Sequence, residues 1–117
     1  SLPPPTPHPF VPEAMVRMIK DQGDFDQTIA QNKLVVVDFT ATWCGPCQRI
    51  APFFTELATK NPDVEFVKVD VDECDEVAAS CGVQSMPTFH FYKDGKMIHS
   101  FSGANSDVLA SKVAELK

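Results

Sequence analysis

The sequence predicts an α/β domain built as a mixed five-stranded central sheet flanked by four helices. Apolar runs of strand length alternate with segments of helical periodicity along the chain. The last two apolar runs flank Lys93-Asp94-Gly95-Lys96, and Asp-Gly between apolar runs is typical of a hairpin. The predicted strands are residues 16–20, 34–40, 64–71, 88–92 and 97–101, and the predicted helices are residues 24–31, 45–60, 72–80 and a last helix from Ser106.

Each element has its own pattern. Residues 34–40 are apolar on both alternating faces, which is typical of a central strand covered by helices. Apolar residues at helical spacing mark three of the helices: Phe25 and Ile29 in the first, Ile50, Phe53, Phe54, Leu57 and Ala58 in the second, and Leu109, Val113 and Leu116 in the last. Pro46 suits the first turn of the second helix, and the short third helix ends before Gly82.

Length and charge limit the function. A chain of 117 residues, 44% hydrophobic and 22% charged, fits one soluble domain. Its formal charge of −6 argues against nonspecific binding to nucleic acid or to acidic membranes. The longest apolar runs are far shorter than the roughly 20 residues of a membrane helix. The chain as given begins with no basic-then-apolar stretch, so we expect no signal peptide and a reducing compartment.

Residues 1–12 contain six of the ten prolines. Such a stretch favours extended polyproline conformation and cannot build a packed core. We therefore interpret residues 1–14 as a flexible extension, a linker or a cloning remnant, and residues 15–117 as the folded domain. The Pro-x-x-Pro spacings leave open a ligand for an aromatic groove.

Two thiols stand at the junction between the second predicted strand and the second predicted helix, in Trp43-Cys44-Gly45-Pro46-Cys47. Residues three apart lie on one face of a helix, so both sulfurs can join without much backbone movement. The unpaired N–H groups at a helix start favour a thiolate on Cys44, and the thiolate is the form that attacks disulfides. The spacing predicts reversible dithiol–disulfide exchange.

A zinc site is the alternative interpretation of Cys-x-x-Cys. It would need a second Cys pair or a His pair at ligand spacing. Cys74 and Cys81 are seven residues apart, and the three histidines contain no such pair. We therefore expect no metal.

The motif, preceded by Val-Asp-Phe-Thr-Ala-Thr, resembles the thioredoxin family. Ser85-Met86-Pro87-Thr88, Lys93-Asp94-Gly95-Lys96 and residues 101–105 stand in the family's order and spacing. The resemblance covers about residues 15–117 and is strongest to the cytosolic thioredoxins of animals. It implies a thioredoxin fold, a nucleophilic Cys44 and a resolving Cys47.

Asp38 is a carboxylate within an apolar run, so burial should raise its pKa; a half-exposed acid at the strand end is the alternative. The resemblance implies that Asp38 assists proton transfer at Cys47 and that Lys68 lies near it, although Lys68 also fits a solvated strand position. Pro87 on its own indicates only a turn, and the resemblance implies a cis bond. The resemblance also implies a docking surface for substrates, which consists of Trp43, Gly45, Pro46, Val83, Met86, Gly103 and Ala104. For Trp43 the alternative is a position in the core.

The implied activity is a monomeric, cytoplasmic protein disulfide reductase, with nuclear or leaderless secreted locations as alternatives. Electrons would come from NADPH through thioredoxin reductase, with no cofactor bound here. Implied acceptors are peroxiredoxin, methionine sulfoxide reductase and ribonucleotide reductase. The rigid Gly45-Pro46 matches reducing members of the family. An oxidase or isomerase domain of a secretory protein and a redox-dependent protein-binding regulator stay as alternatives.

Three further groups have weaker signals. Cys74 and Cys81, if on one helix, are about 10 Å apart, beyond the roughly 7 Å limit for a disulfide, so we expect small buried or half-buried thiols. The resemblance makes them candidate regulatory thiols, while Ser85 departs from a cysteine of some relatives and argues against the matching disulfide dimer. His90 and His99 alternate with apolar residues, which predicts that they face solvent.

Overall fold

The computed structural model describes residues 16–117 as a five-stranded sheet with four helices. The predictions for residues 1–14, a flexible extension or a Pro-x-x-Pro ligand, concern residues outside this described range. The strands are β1 (Val16–Met18), β2 (Val35–Thr40), β3 (Glu65–Asp70), β4 (Thr88–Lys93) and β5 (Lys96–Ser102). The helices are α1 (Gln22–Ile29), α2 (Gly45–Lys60), α3 (Asp75–Ser80) and α4 (Ser106–Leu116).

The sheet has the order β1-β3-β2-β4-β5, which places β2 at its centre. β2 runs parallel to β3 and antiparallel to β4, and β4 forms a hairpin with β5. The first five residues of β2 are buried, as its apolar sequence predicts for a strand covered on both faces. The predicted mixed α/β sheet is confirmed.

Two apolar clusters cover the two faces of the sheet. One joins the sheet to α2 and α4 and includes Val36, Phe54 and Leu109. The other lies on the side of α1 and α3 and includes Val37 and Phe39. Side chains alternate along a strand, so Asp38 shares the α2 side of β2 with Val36, while its neighbours Val37 and Phe39 point to the other side. Its carboxylate is therefore inside the protein.

Local hydrogen bonds set the helix starts, and two differ from the prediction. α1 begins at Gln22 rather than residue 24, since the Asp21 side chain accepts from the Asp24 N–H and caps the helix. α3 begins at Asp75 rather than residue 72, because the Asp70 carboxylate accepts from the N–H groups of Asp72 and Glu73 and holds them in a turn. α2 has its predicted bounds.

The prediction that His90 faces solvent is wrong. His90 is buried, its ring packs edge-on against Phe39, and its Nδ1 shares a 3.1 Å hydrogen bond with the Tyr92 hydroxyl. Phe89 and Phe91 of β4 belong to the cluster on one face of the sheet and Tyr92 belongs to the cluster on the other. Both faces of β4 are therefore covered, and alternation of polar and apolar residues does not mark a solvent face here. Burial lowers the pKa of His90. His99, on the edge strand β5, is half-buried.

None of the helices within residues 16–117 is long and apolar enough to cross a membrane.

Candidate functional site

The two cysteines lie where β2 passes into α2. Cys44 is the N-cap residue of α2, with extended backbone, and Cys47 lies in the first turn. The Cys44 Sγ accepts a hydrogen bond from the Cys47 N–H at 3.2 Å. Their Cα atoms are 5.3 Å apart and the two sulfurs form a disulfide. The helix start therefore provides the short separation that reversible disulfide formation requires.

Both cysteines are almost enclosed. Cys44 is 5% exposed and Cys47 is 1% exposed, and they form a small apolar cluster with Ala41. Val71 and Met86 pack against this cluster from neighbouring loops. Cys44 is the cysteine that retains contact with solvent, so an incoming disulfide meets Cys44 first.

Asp38 is the unusual charge of this region. It is 1% exposed, and neither carboxylate oxygen has a hydrogen-bond partner. Burial raises its pKa to about 7, against a smaller opposing effect of the Lys68 ammonium. Lys68 is the register partner of Asp38 on β3 and is half-buried. A carboxyl group that titrates near neutral pH can both accept and donate a proton under physiological conditions.

Pro87 and the loop after β5 lie side by side. The Met86–Pro87 bond is cis, and the Pro87 carbonyl accepts a 2.9 Å hydrogen bond from the Gly103 N–H. Gly103 has a φ of 104°, which side chains other than hydrogen rarely allow. Ala104 is exposed next to it. Met86, Gly103 and Ala104 thus belong to one stretch of surface beside the cysteine cluster.

Trp43 is 66% exposed, so the alternative of a core position for it is wrong. Its indole N–H donates to the Asp72 carboxylate at 2.9 Å. The Asp70 side chain fixes the turn that carries Asp72, as described for the start of α3. This bond holds an exposed aromatic ring beside Cys44. Val83, by contrast, is half-buried and packs against the cluster under α1 and α3.

Arg49 was not predicted as a site residue. It lies one helical turn after Gly45, and its Nη1 is 3.6 Å from the point where a Cβ on Gly45 would be. Its side chain therefore reaches back over the first turn of α2, as helical side chains do. The signal in the sequence was the spacing of four residues between Gly45 and Arg49.

Cys74 and Cys81 flank α3 at its two ends instead of lying inside it. Cys74 is buried and its thiol lies 3.4 Å from the Ile19 carbonyl oxygen, whereas Cys81 is half-buried with its sulfur 3.7 Å from the Tyr92 hydroxyl oxygen. Burial, and then the acids around Cys74 beginning with Glu73, raise the pKa of its thiol. Both are free thiols, as expected from their spacing, and their regulatory role stays a prediction.

Across the described part of the chain, no three His, Cys, Asp or Glu side chains are grouped to hold a metal ion.

Comparisons with known proteins agree with this geometry. The family model described as Thioredoxin matches residues 16–115. Thioredoxin of Geodia cydonium is 54% identical over 106 residues, covering 88% of this chain and 100% of that protein, and thioredoxin of Mus musculus is 50% identical over 103 residues, covering 86% and 98%. The solved structure of Fasciola hepatica thioredoxin superposes with a TM-score of 0.84 at 47% identity, covering 86% of this chain and 99% of that one. The chain belongs to the thioredoxin family and is a thiol–disulfide oxidoreductase, a protein disulfide reductase with Cys44 and Cys47 as its redox pair.

Proposed function

We propose that this protein is a cytoplasmic electron carrier that an NADPH-dependent thioredoxin reductase reduces again after each turnover. The observation that carries this proposal is the placing of Cys44 at the N-cap of α2, with Cys47 behind it. The chain itself would hold no cofactor, because the two sulfurs store the two electrons.

Cys44 attacks first in the proposed reaction. Its thiolate forms a bond to one sulfur of the substrate disulfide, the substrate S–S bond breaks, and the second substrate sulfur leaves as a thiolate that takes up a proton. The N–H group of Cys47, which already points at the Cys44 sulfur, supports negative charge there. The product of this step is a mixed disulfide between Cys44 and the substrate.

Cys47 completes the reaction. Its thiolate attacks the Cys44 sulfur, the Cys44–Cys47 disulfide forms, and the bond between Cys44 and the substrate breaks. The substrate sulfur that was bonded to Cys44 then leaves as a thiolate and takes up a proton. Cys47 is enclosed, so its proton must go to a group inside the protein. Asp38 is the buried acid on the adjacent strand with a pKa of about 7, and we assign it this proton transfer, with Lys68 setting its charge balance.

Substrate binding is assigned to the surface around the two sulfurs. Its members are the predicted docking residues Trp43, Gly45, Pro46, Val83, Met86, Gly103 and Ala104. The backbone of Met86, next to the cis bond, would pair with an extended substrate segment that carries the disulfide. The exposed Trp43 ring would cover the other side.

The proposed acceptors are proteins with accessible disulfides: peroxiredoxin, methionine sulfoxide reductase and ribonucleotide reductase. A similar solved chain belongs to a study of thiol resolving in a yeast mitochondrial 1-Cys peroxiredoxin through glutathione/thioredoxin systems, which favours the peroxiredoxin class. We propose that the protein acts as a monomer. It would have no nucleic-acid or membrane partner, in line with its formal charge of −6.

Trapping of the mixed disulfide tests the assignment of the two cysteines. The Cys47→Ser variant, mixed with a disulfide protein substrate, should accumulate a covalent adduct that a reducing agent releases. The Cys44→Ser variant should form none, and Cys74→Ser, which leaves the redox pair intact, should turn over like the parent protein.

An adduct formed by Cys44→Ser, or turnover in its absence, would contradict the assignment. Coupling to NADPH oxidation by a purified thioredoxin reductase tests the electron source. If the reductase leaves the oxidised protein unreduced, the proposed electron source is wrong even where the trapping result stands.

A further inference from the structure

Arg49 is a cation beside the reactive motif that the reductase chemistry above does not use. It lies in the second turn of α2 and its guanidinium reaches back to Gly45, between the two cysteines in sequence. Its side chain is exposed. Among residues 16–117, Arg49 takes part in none of the salt bridges and none of the side-chain hydrogen bonds. Its charge is therefore available.

The helix does not account for this cation. The start of a helix carries partial positive charge, so a guanidinium folded back over the first turn is electrostatically unfavourable there. Acidic side chains are favourable at a helix start, and α3 and α4 do carry acids in their first turns. A binding role would explain why a positive side chain lies at this place.

A cavity of about 200 Å³ adjoins Arg49. It is lined by Arg49, Ile50, Phe53, Ala104 and Ser106, so it lies between α2 and the start of α4. Ala104 also follows Gly103, whose N–H is bonded to the Pro87 carbonyl. The cavity therefore opens at the edge of the proposed docking surface, on the side opposite the Trp43–Asp72 pair.

We propose that Arg49 and this cavity form a specificity subsite for an Asp or Glu side chain that flanks the disulfide of a protein substrate. This inference rests on the docking surface assigned above. The planar fork of a guanidinium matches a carboxylate, and the apolar wall of Ile50 and Phe53 suits the methylene groups of Glu. Since one water occupies about 30 Å³, the cavity has room for such a side chain.

The rest of the surface makes this preference one-sided. The protein has a formal charge of −6, and Asp70, Asp72 and Glu73 lie together on the Trp43 side. An acidic residue of the substrate on that side meets like charge, whereas the same residue on the Ala104 side meets Arg49. Only one flank of the substrate cysteine should therefore accept an acid.

Single-turnover kinetics with short peptides tests the subsite. Each peptide carries one cysteine as a disulfide with 2-thiopyridine, and its ends are blocked. Reduced protein releases thiopyridone when Cys44 forms the mixed disulfide. In each peptide one of the three positions before the cysteine, or one of the three positions after it, carries Glu. A matching peptide carries the neutral Gln at the same position.

We expect Glu on one flank to raise the second-order rate constant about threefold over Gln, the range of an exposed ion pair, and Glu on the other flank to give no increase. The Arg49→Gln variant should lose the increase, so that its rate constants for the Glu peptide and the matching Gln peptide become equal. Arg49→Lys should keep part of it. Lys96→Gln makes the same charge change in the distant β4–β5 hairpin and should keep all of it.

Three results would overturn the subsite. The first is an equal response to Glu on both flanks, which a diffuse field would give. The second is an equal loss of rate for Arg49→Gln on every peptide, because Arg49 would then act on the Cys44 thiolate and not on the substrate. The third is no discrimination by the parent protein while it reacts normally with the Gln peptides, and that result would leave its reductase function standing.

Discussion

Replacement of Asp38 by asparagine should make the protein more stable at neutral pH and should change how its stability depends on pH. The Asp38 carboxyl group is 1% exposed and its two oxygens have no hydrogen-bond partner, so its ionised form is poorly solvated in the folded protein. Asparagine has nearly the same shape and never ionises. The comparison therefore isolates the cost of the charge.

The magnitude follows from the pKa of Asp38, which burial raises from 3.8 to about 7 in the folded protein. Below pH 3.8 the group is neutral in both the folded and unfolded states and imposes no cost. Between pH 4 and 7 the unfolded state loses its proton while the folded state keeps it, so stability falls as pH rises. At about 1.36 kcal/mol per pKa unit, the parent protein loses about 4 kcal/mol by pH 8 through this group.

Urea unfolding of the oxidised protein and of Asp38→Asn, followed by far-ultraviolet circular dichroism from pH 4 to pH 8.5, measures this difference. The cost of burying the amide is constant with pH, so it moves the whole curve of the variant without changing its slope. His90 has a pKa lowered by burial and contributes a slope of opposite sign, but it does so in both proteins. The difference between the two curves should therefore grow by about 4 kcal/mol over this range.

Parallel stability curves for the two proteins would refute the reasoning. They would mean that Asp38 ionises in the folded protein as easily as in the unfolded chain. A hydrogen bond or a closer Lys68 ammonium in solution would have that effect. A difference that grows below pH 4 instead would refute the sign.

Three other changes test the same structure. Lys68→Met should raise the pH range over which Asp38 titrates, because the nearby positive charge that lowers the pKa of Asp38 is removed. The stability curves of Lys68→Met and of the Lys68→Met, Asp38→Asn double variant measure this range, and an unchanged range would place Lys68 out of reach of Asp38. Asp72→Ala should cost less than about 1 kcal/mol in stability but should slow attack on peptide disulfides, because Trp43 loses the acceptor of its indole N–H. The fluorescence anisotropy of Trp43 should fall in this variant, and an unchanged anisotropy would contradict the role of Asp72 in orienting the ring. Phe54→Ala should lower the free energy of urea unfolding by about 3–5 kcal/mol, since this buried ring lies 5.3 Å from Phe66 and 5.9 Å from Phe89 between ring centroids. Phe53→Ala, at a half-buried neighbour, should cost clearly less, and equal losses would contradict the position of the core.

The position of the redox pair could be predicted from sequence because the signals there are local. A proline in the first turn, a cysteine at the N-cap and apolar residues on one face specify α2 without reference to the rest of the chain. The same holds for the continuously apolar β2. The depth of Asp38 follows from these two elements, since a strand covered on both faces leaves no solvent side.

Features that depend on the neighbours of an element could not be predicted in this way. His90 has the alternating pattern of a half-exposed strand, yet β4 is an inner strand whose second face is covered by the α1 and α3 side of the core. The starts of α1 and α3 depend on which carboxylate, Asp21 or Asp70, takes the free N–H groups. Arg49 gains its interest only from the loop after β5, which is more than fifty residues away in the chain.

The near-complete enclosure of the two sulfurs has a consequence for how the disulfide form is reduced. With Cys44 5% exposed and Cys47 1% exposed, a small thiol diffusing in solution finds little sulfur to attack. A reductant has to dock on the surrounding surface and bring its own thiolate onto Cys44, the more exposed of the two. We therefore expect the oxidised protein to exchange slowly with small free thiols and to be reduced by a protein partner that fits its surface.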